Sequence, residues 1–227
     1  MAYLKYYGHS AFEVYVDGKK ILVDPFLSNP LSPVKANDIK DVDLVILTHG
    51  HGDHLGDAVE ILKNNKNAKV VAIFELANHV AEQVGDPSRA IGGNMGGPMI
   101  VDGLKIALVP AVHSSPIGAP TGVVIKSSEG TIYHAGDTGI TMDMALIGEI
   151  YKPDIALLPI GGHFTMDPVE AAKAVELIKP KVAIPMHYKT FPVLYGTPEE
   201  FKKLVEEKTP DTKVVILNPG ETFEFKF

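Results

Sequence analysis

The sequence predicts an α/β (α+β) protein in which two mixed β-sheets are flanked by helices. Short alternating apolar runs flank two tight-turn pairs, Asp17-Gly18 and Glu129-Gly130, which indicates a hairpin early in each half of the chain. Apolar strand-like runs then alternate with helical segments, as in sheets whose parallel strands are joined by helices. No linker or change in composition divides the chain, so we expect one domain over residues 1–227.

Hydrophobic periodicity places the individual elements. In the first half the predicted strands are 3–7, 11–17, 20–23, 44–47 and 70–73, and the predicted helices are 55–65 and 75–84. In the second half the predicted strands are 104–109, 123–126, 131–134, 154–158, 181–184, 213–217 and 222–226, with helices at 142–150, 167–178 and 197–207. Asp167 is the expected N-cap of its helix and Pro168 the first helical residue. The glycine-rich stretch 91–98 is expected to form a mobile loop or a tight turn near the site.

Composition narrows the class of protein. A hydrophobic content of 45% and a charged content of 22% are ordinary for a soluble globular protein. The net charge of -7 and the lack of any basic run argue against a nucleic-acid partner. We expect no membrane span and no signal peptide, and therefore a cytoplasmic location. Without cysteine, any metal must be held by nitrogen and oxygen.

The stretch Thr48–His54 carries the strongest chemical signal. It follows the apolar run 44–47 and has the spacing H-x-H-x-D-H in His49, His51, Asp53 and His54. Imidazole nitrogen and carboxylate oxygen are ligands that zinc and similar divalent ions take. The alternative is a polar surface loop that is rich in histidine. The dense spacing favours a metal site.

Five further candidate site residues follow apolar strand-like runs or lie close to them. In layered α/β proteins the carboxyl ends of the strands share one edge, and binding sites collect there. We therefore expect His113, Asp137, His163 and His187 to converge with the histidine stretch, and His134 to lie nearby. On this hypothesis His49, His51 and His113 ligate one ion, while Asp53, His54 and His187 ligate another. Asp137, with two carboxylate oxygens, would bridge them. Two such ions can share a hydroxide and lower its pKa.

These residues resemble the metallo-β-lactamase-fold superfamily. Its hallmark is matched by the H-x-H-x-D-H stretch, and its later ligands are matched by His113, Asp137 and His187. The segments Gly8–Phe12 and Leu22–Phe26 are similar to one branch of metal-dependent hydrolases, related to L-ascorbate-6-phosphate lactonases and N-acylphosphatidylethanolamine-hydrolysing phospholipases D.

The resemblance covers nearly the whole chain and implies both a fold and an activity. The implied fold is a four-layer αββα sandwich with two metal ions in a cleft between the sheets. The implied activity is metal-dependent hydrolysis, an EC 3 reaction, in which a dimetal-bridging hydroxide attacks a lactone, an ester or a phosphodiester. Penicillin-type substrates are doubtful because many true β-lactamases use a cysteine at the second metal, and this chain has none. The expected partner is a small-molecule substrate, and homo-oligomerisation is left open.

Four residues are hypotheses for roles beside the ions. Asp24 matches an early aspartate of the family that orients a metal-binding imidazole, although an Asp-Pro pair also forms simple turns. His9 and His134 are candidates for positioning a ligand, and the alternative for each is a purely structural histidine. His163 is the candidate for proton donation or substrate positioning, or else it bonds its own loop. With Asp53 and Asp137 it completes the predicted catalytic group.

Several alternatives stay open at this point. The metal is expected to be zinc, but manganese, nickel or iron suit the same nitrogen and oxygen ligands. A processing nuclease of the same fold would have to act without a basic surface. A di-iron redox protein would carry glutamate where this chain has His51. A non-catalytic metal-binding or sensing protein would keep the ligands without the reaction.

Overall fold

The computed structural model describes residues 1–227, which group into two compact units. The first unit contains Met1–Met95, Ser114–Pro120 and Leu217–Lys226. The second contains Gly96–His113, Thr121–Ile216 and Phe227. Each unit is built on its own seven-stranded sheet.

The sheet of the first unit is mixed. Its strands are β1 (Ala2–Tyr6), β2 (Phe12–Val16), β3 (Lys19–Val23), β4 (Leu44–Ile46), β5 (Lys69–Ile73), β6 (Ala90–Gly93) and β14 (Thr222–Phe225). The spatial order is β14-β1-β2-β3-β4-β5-β6, antiparallel from β14 to β3 and parallel from β3 to β6. The β2–β3 hairpin turns through Asp17 (φ 49°) and Gly18 (φ 75°), a left-handed pair that matches the twist of the strands.

Three helices belong to the first unit. They are α1 (Gly52–Leu55), α2 (Ala58–Asn64) and α3 (Phe74–Val84). Helix α3 buries Leu76, Ala77, Val80 and Ala81 on one side and ends at Gly85, whose left-handed backbone accepts no side chain without strain. Two short 3₁₀ turns, Ala36–Asp38 and Pro87–Arg89, complete the connections.

The second unit contains another mixed sheet. Its strands are β7 (Met99–Val101), β8 (Leu104–Pro110), β9 (Thr121–Lys126), β10 (Thr131–His134), β11 (Ile155–Pro159), β12 (Val182–Met186) and β13 (Lys213–Val214). The order is β13-β12-β11-β10-β9-β8-β7, antiparallel from β7 to β10 and parallel from β10 to β13. Every residue of β11 and β12 is buried, as expected for parallel strands covered on both faces.

The second unit also carries three helices, α4 (Asp143–Tyr151), α5 (Pro168–Ile178) and α6 (Pro198–Lys208). Helix α5 begins with Asp167, whose Oδ1 accepts the Glu170 N–H at 3.0 Å, and with Pro168 at the first helical position. The apolar faces of the helices pack with the sheet into a core that includes Tyr133, Leu158 and Phe201.

Two mixed sheets with flanking helices confirm the predicted fold class. The structure differs from the prediction in detail. The helix expected over 55–65 is shorter, α2 over Ala58–Asn64, and Gly56 separates it from the unpredicted α1, which ends at Leu55. The edge strands β6 and β7 were not predicted. The first part of the stretch 91–98 is strand rather than loop. None of the helices combines the length and apolar character needed to cross a bilayer. The assignment of a single domain stays a prediction.

Candidate metal centre

The candidate residues follow the strands that the sequence indicated. In the first unit Asp24 comes directly after β3, and Thr48–His54 begins two residues after β4. In the second unit His187 comes directly after β12, and His113 and Asp137 lie three residues beyond β8 and β10. Turns at the carboxyl ends of strands place side chains beyond the sheet edge, where the backbone is no longer committed to strand pairing.

Asp24 is the anchor of the site in the first unit. It is fully buried, and its backbone has a left-handed φ of 46°. Its Oδ1 accepts the backbone N–H of Thr48 at 2.9 Å, and its Oδ2 accepts the Thr48 hydroxyl at 2.6 Å. The same Oδ2 lies 2.7 Å from Nδ1 of His54. One carboxylate thereby fixes both the start of the histidine stretch and the ring at its end.

These contacts determine which imidazole nitrogen is presented to a metal. The buried carboxylate of Asp24 accepts a hydrogen bond from Nδ1–H of His54, so Nε2 is the nitrogen left with a lone pair. The Thr48 hydroxyl donates its hydrogen bond to Asp24, and its oxygen, 3.0 Å from Nδ1 of His49, accepts the hydrogen bond of that ring. Both rings therefore offer Nε2 as the metal-binding atom.

Asp53 and His54 lie in the single turn of helix α1 that follows His51. Asp53 is 28% exposed; its Oδ2 is 2.8 Å from Nε2 of His9 and 3.5 Å from Nε2 of His54. The His51 ring meets the His49 ring edge-on with centroids 4.8 Å apart. The turn is held against the strand end because the Asp57 N–H donates to the Pro25 carbonyl at 3.0 Å.

The second unit holds a smaller set of donors. Oδ2 of Asp137 is 3.4 Å from Nε2 of His113 and 3.3 Å from Nε2 of His187. Asp137 and His187 are buried, and the His113 side chain is 12% exposed. One carboxylate oxygen thus faces two imidazole nitrogens.

Distances separate these contacts into two classes. Ligands bound tetrahedrally at about 2.0–2.2 Å from one ion lie about 3.3–3.6 Å from each other. The separations of Asp137 from His113 and His187, and of Asp53 from His54, are 3.3–3.5 Å and fall in that range. The contacts of Asp24 with His54 and of His9 with Asp53, at 2.7 and 2.8 Å, have the length of direct hydrogen bonds. The first class suits metal ligands, and the second suits residues that orient them.

Asp24, His49 and His54 also form a cluster whose donor atoms lie within 4.8 Å of one another. Since both oxygens of Asp24 already bond Thr48 and His54, we assign Asp24 to orientation rather than to ligation. The nitrogen and oxygen donors of both units fit a divalent ion such as zinc.

Two other predicted residues lie apart from these contacts. Nδ1 of His134, a buried residue, accepts the Gly136 N–H at 3.1 Å and so supports the turn before Asp137. His163 is exposed, has a left-handed φ of 64°, and meets the Phe164 ring edge-on at 4.5 Å. Neither contact joins the histidine directly to a candidate ligand.

Sequence reasoning missed the role of Thr48. Its hydroxyl connects Asp24 to His49, which no spacing pattern reveals because the partners are 24 residues and one residue away. A hydroxyl residue directly before the first histidine, at the end of a buried run, was the available signal.

Comparison with known proteins identifies the family of this chain. Residues 19–188 match the family model described as the β-lactamase superfamily domain. A protein from Aeropyrum pernix, named a UPF0173 metal-dependent hydrolase, is 59% identical over an alignment of 240 positions that covers 100% of this chain and 99% of that protein.

Solved structures agree with the sequence comparison. Igni18, a metallo hydrolase from the archaeon Ignicoccus hospitalis, is 47% identical with a TM-score of 0.92 over 99% of both chains. An isothiocyanate hydrolase from Delia radicum gut bacteria, 23% identical with a TM-score of 0.79 over 99% of both chains, shares the fold. The chain therefore belongs to the UPF0173 metal-dependent hydrolases of the β-lactamase superfamily.

Proposed function

We propose that this protein hydrolyses an ester, a lactone or a phosphodiester with the help of two divalent metal ions. In this proposal His49, His51 and His113 hold one ion, Asp53, His54 and His187 hold the other, and Asp137 contacts both. The observation that carries it is Asp137, whose Oδ2 lies 3.3–3.4 Å from two imidazole nitrogens, at the spacing of ligands that share an ion.

The chemistry of the ions and that of the chain are distinct. Two divalent ions, when bound, lower the pKa of a water and stabilise the negative charge that develops on the substrate. The chain's own part is to hold the donors in place before substrate binds. Asp24 orients His54, and His9 holds Asp53 at 2.8 Å. Zinc is the expected metal, and manganese, nickel or iron would fit the same nitrogen and oxygen donors.

Three residues have proposed catalytic roles. Asp53, which is 28% exposed and oriented by His9, would hold one ion and accept a hydrogen bond from the water that the ions activate, and Asp137 would be a ligand that both ions share. His163, which is exposed, protonates the leaving group or stabilises the developing oxyanion. The substrate is a small molecule. The cytoplasmic location and the absence of a nucleic-acid partner stay predictions from the sequence.

Hydrolysis by the metal-loaded protein tests the proposal. We expect activity on at least one member of a panel of esters, lactones, thioesters and phosphodiesters. Asp137→Ala should reduce that rate to below about 1% and lower the metal content, because a shared ligand is lost. Asp211→Ala, which changes an exposed aspartate of the second unit, is the control and should keep the hydrolysis rate and the metal content of the wild type. Full activity of Asp137→Ala would rule out the mechanism.

A further inference from the structure

The loop 160–166 is attached at both ends to residues beside the candidate ligands of the second unit. The Ile160 N–H donates to the carbonyl of Met186, the residue before His187, at 3.1 Å. The Met166 N–H donates to the carbonyl of Thr138, the residue after Asp137, at 3.0 Å. The loop therefore runs directly beside this donor set.

A second loop, 190–196, packs against the first. The Gly196 N–H donates to the Gly161 carbonyl at 3.1 Å. A methyl group at Gly161 would collide with the His187 carbonyl oxygen, and one at Gly162 would collide with the Tyr195 ring. Gly161 is required because the colliding atom is backbone, and Gly162 is favoured by its left-handed φ of 69°. The Tyr195 ring lies against Gly162 of the first loop.

The backbone around these loops is strained. His163, His187 and Lys189 have left-handed φ values of 64°, 59° and 63° although none is glycine. Such conformations cost free energy and persist where the surrounding structure imposes them, which is most common at functional sites. The strained residues here include the candidate ligand His187 and, in the loop 160–166, His163.

The two loops expose large apolar side chains. Phe164, Val193 and Tyr195 are 55%, 45% and 64% exposed. We name these three residues the aromatic platform. The Tyr195 ring covers Gly162, and the Phe164 N–H donates to the Gly162 carbonyl at 2.7 Å. The two aromatic residues of the platform therefore both contact Gly162.

The charge of the loops indicates what the platform binds. Residues 160–166 and 190–196 contain no Asp, Glu, Lys or Arg, in a chain of which 22% is charged. Lys189, just before the second loop, lies over the Tyr188 ring at 5.8 Å, and the Tyr195 hydroxyl lies 3.5 Å from Oδ2 of Asp167. The loops themselves supply no fixed charge to an anionic group, whereas an uncharged hydrocarbon group would lose water against the exposed aromatic rings. The position beside Asp137 and His187 makes a substrate the natural occupant.

We propose that the aromatic platform binds an apolar acyl chain of the substrate. This inference rests on the proposed function and narrows its substrate class from esters, lactones and phosphodiesters to esters or lactones with a hydrocarbon acyl group. Phe164 and Tyr195 are the residues that determine this specificity, and Val193 extends the apolar surface.

Acyl-chain selectivity is the first test. The metal-loaded protein should hydrolyse p-nitrophenyl octanoate with a kcat/KM at least about tenfold above that for the acetate. Phe164→Ala and Tyr195→Ala should each lower the ratio of kcat/KM for the octanoate to that for the acetate about tenfold. Leu146→Ala on α4 is the matched control, since Leu146 is 55% exposed like Phe164 but lies outside both loops. It should leave the selectivity unchanged.

Binding without turnover provides the second test. The chain has no tryptophan, so Phe164→Trp introduces a single tryptophan whose emission can be excited selectively over that of the tyrosines. Octanoate should shift its emission to shorter wavelength, and acetate, which has the same carboxylate, should not. An octanoate-specific shift without hydrolysis of any panel member would support the platform and contradict the proposed function. Hydrolysis that is indifferent to chain length, with no octanoate-specific shift, would overturn the platform and leave the proposed function intact.

Discussion

At the scale of single residues, the geometry of the first unit depends on Asp24. Its two oxygens serve three donors, the Thr48 N–H, the Thr48 hydroxyl and the His54 ring. Because the carboxylate is fully buried, these bonds are not exchanged with water, and each restricts its partner strongly. Metal-binding imidazoles are commonly oriented in this way, and the orienting partner contributes to affinity without touching the ion.

Asp24→Asn should therefore weaken metal binding. The amide can accept at only one atom and presents N–H groups where Thr48 or His54 now donates, so the His54 ring loses its fixed tautomer. We expect the zinc dissociation constant to rise about 10–100-fold in competition with a chromophoric chelator. Asp41→Asn is the matched control, because Asp41 also has a left-handed φ, of 60°, but is exposed. Equal zinc affinities of wild type and Asp24→Asn would refute the orienting role, whatever the change in thermal stability.

The sequence indicates most of this detail, and the reason it misses the rest is physical. Asp24 stands before proline at a strand end, which suggests either a turn or an orienting carboxylate, and only the fold brings it to Thr48 and His54. Spacing reports ligands that are close along the chain, such as His49 and His51. It does not report a hydroxyl such as Thr48, whose partners are set by the packing of β3 against β4.

At the scale of elements, the loop 160–166 packs directly against the backbone of His187. Gly161 lies where any side chain would meet the His187 carbonyl oxygen, which is backbone and cannot turn aside. A larger residue must move either the loop 160–166 or the segment that carries the candidate ligand His187.

Gly161→Ala should for this reason reduce both stability and metal content. We expect a loss of about 1–3 kcal/mol in the free energy of unfolding, as for other overpacked sites, and less than full zinc loading. Calorimetry and metal analysis would measure the two effects. Gly97→Ala in the same unit has open space around the added methyl group and should change neither. Normal zinc content in Gly161→Ala would show that the loop does not position His187.

A second element-scale feature is the pair of tyrosines, Tyr3 in β1 and Tyr7 directly after it, that contact Glu13 of β2. The phenols of Tyr3 and Tyr7 donate to the two oxygens of Glu13 at 2.6 and 2.7 Å. Burial, followed by the hydrogen bond to Glu13, raises the pKa of both tyrosines well above the usual value of 10.0. The native state therefore holds these two protons more tightly than the unfolded chain.

The sign of the pH dependence follows from this difference. Stability from the raised pKa values is complete below pH 10 and is lost as the pH rises above 10, because the unfolded chain then releases protons that the native state retains. For the buried Tyr7 the slope is at most about 1.4 kcal/mol per pH unit. Urea unfolding between pH 9 and about 12 should show a steeper decline for wild type than for Tyr7→Phe. Tyr133, whose pKa is also raised by burial, titrates in both proteins and cancels in the comparison. Parallel declines would contradict the assignment.

The local sequence explains which elements were predictable. The Asp17-Gly18 hairpin and the Asp167-Pro168 helix start were predicted because turn and cap chemistry act within a few residues. Strand β6 was not predicted, because it contains Gly92 and Gly93 and forms only by pairing with β5. The separation of α1 from α2 at Gly56 was not predicted either, because it depends on the close approach of the Phe26 backbone.

At the scale of the whole molecule, the candidate ligands are scattered from position 49 to position 187 in a chain of 227 residues. The sequence predicted their placement after strands because each follows an apolar run. It could not predict the two uncharged loops of the second unit as a surface, since their conformation depends on three strained residues and on glycines in close contact. The fold was therefore predictable from the sequence, whereas the surface that we propose for the substrate's acyl chain emerges only from the structure.

The central claim is that the chain holds two divalent ions. Mass spectrometric metal analysis of the protein after zinc loading and desalting tests it most directly. We predict about two zinc ions per chain, falling in Asp137→Ala and unchanged in Asp211→Ala, since one shared carboxylate is what a two-ion site requires. One ion or none per fully folded chain would contradict the account.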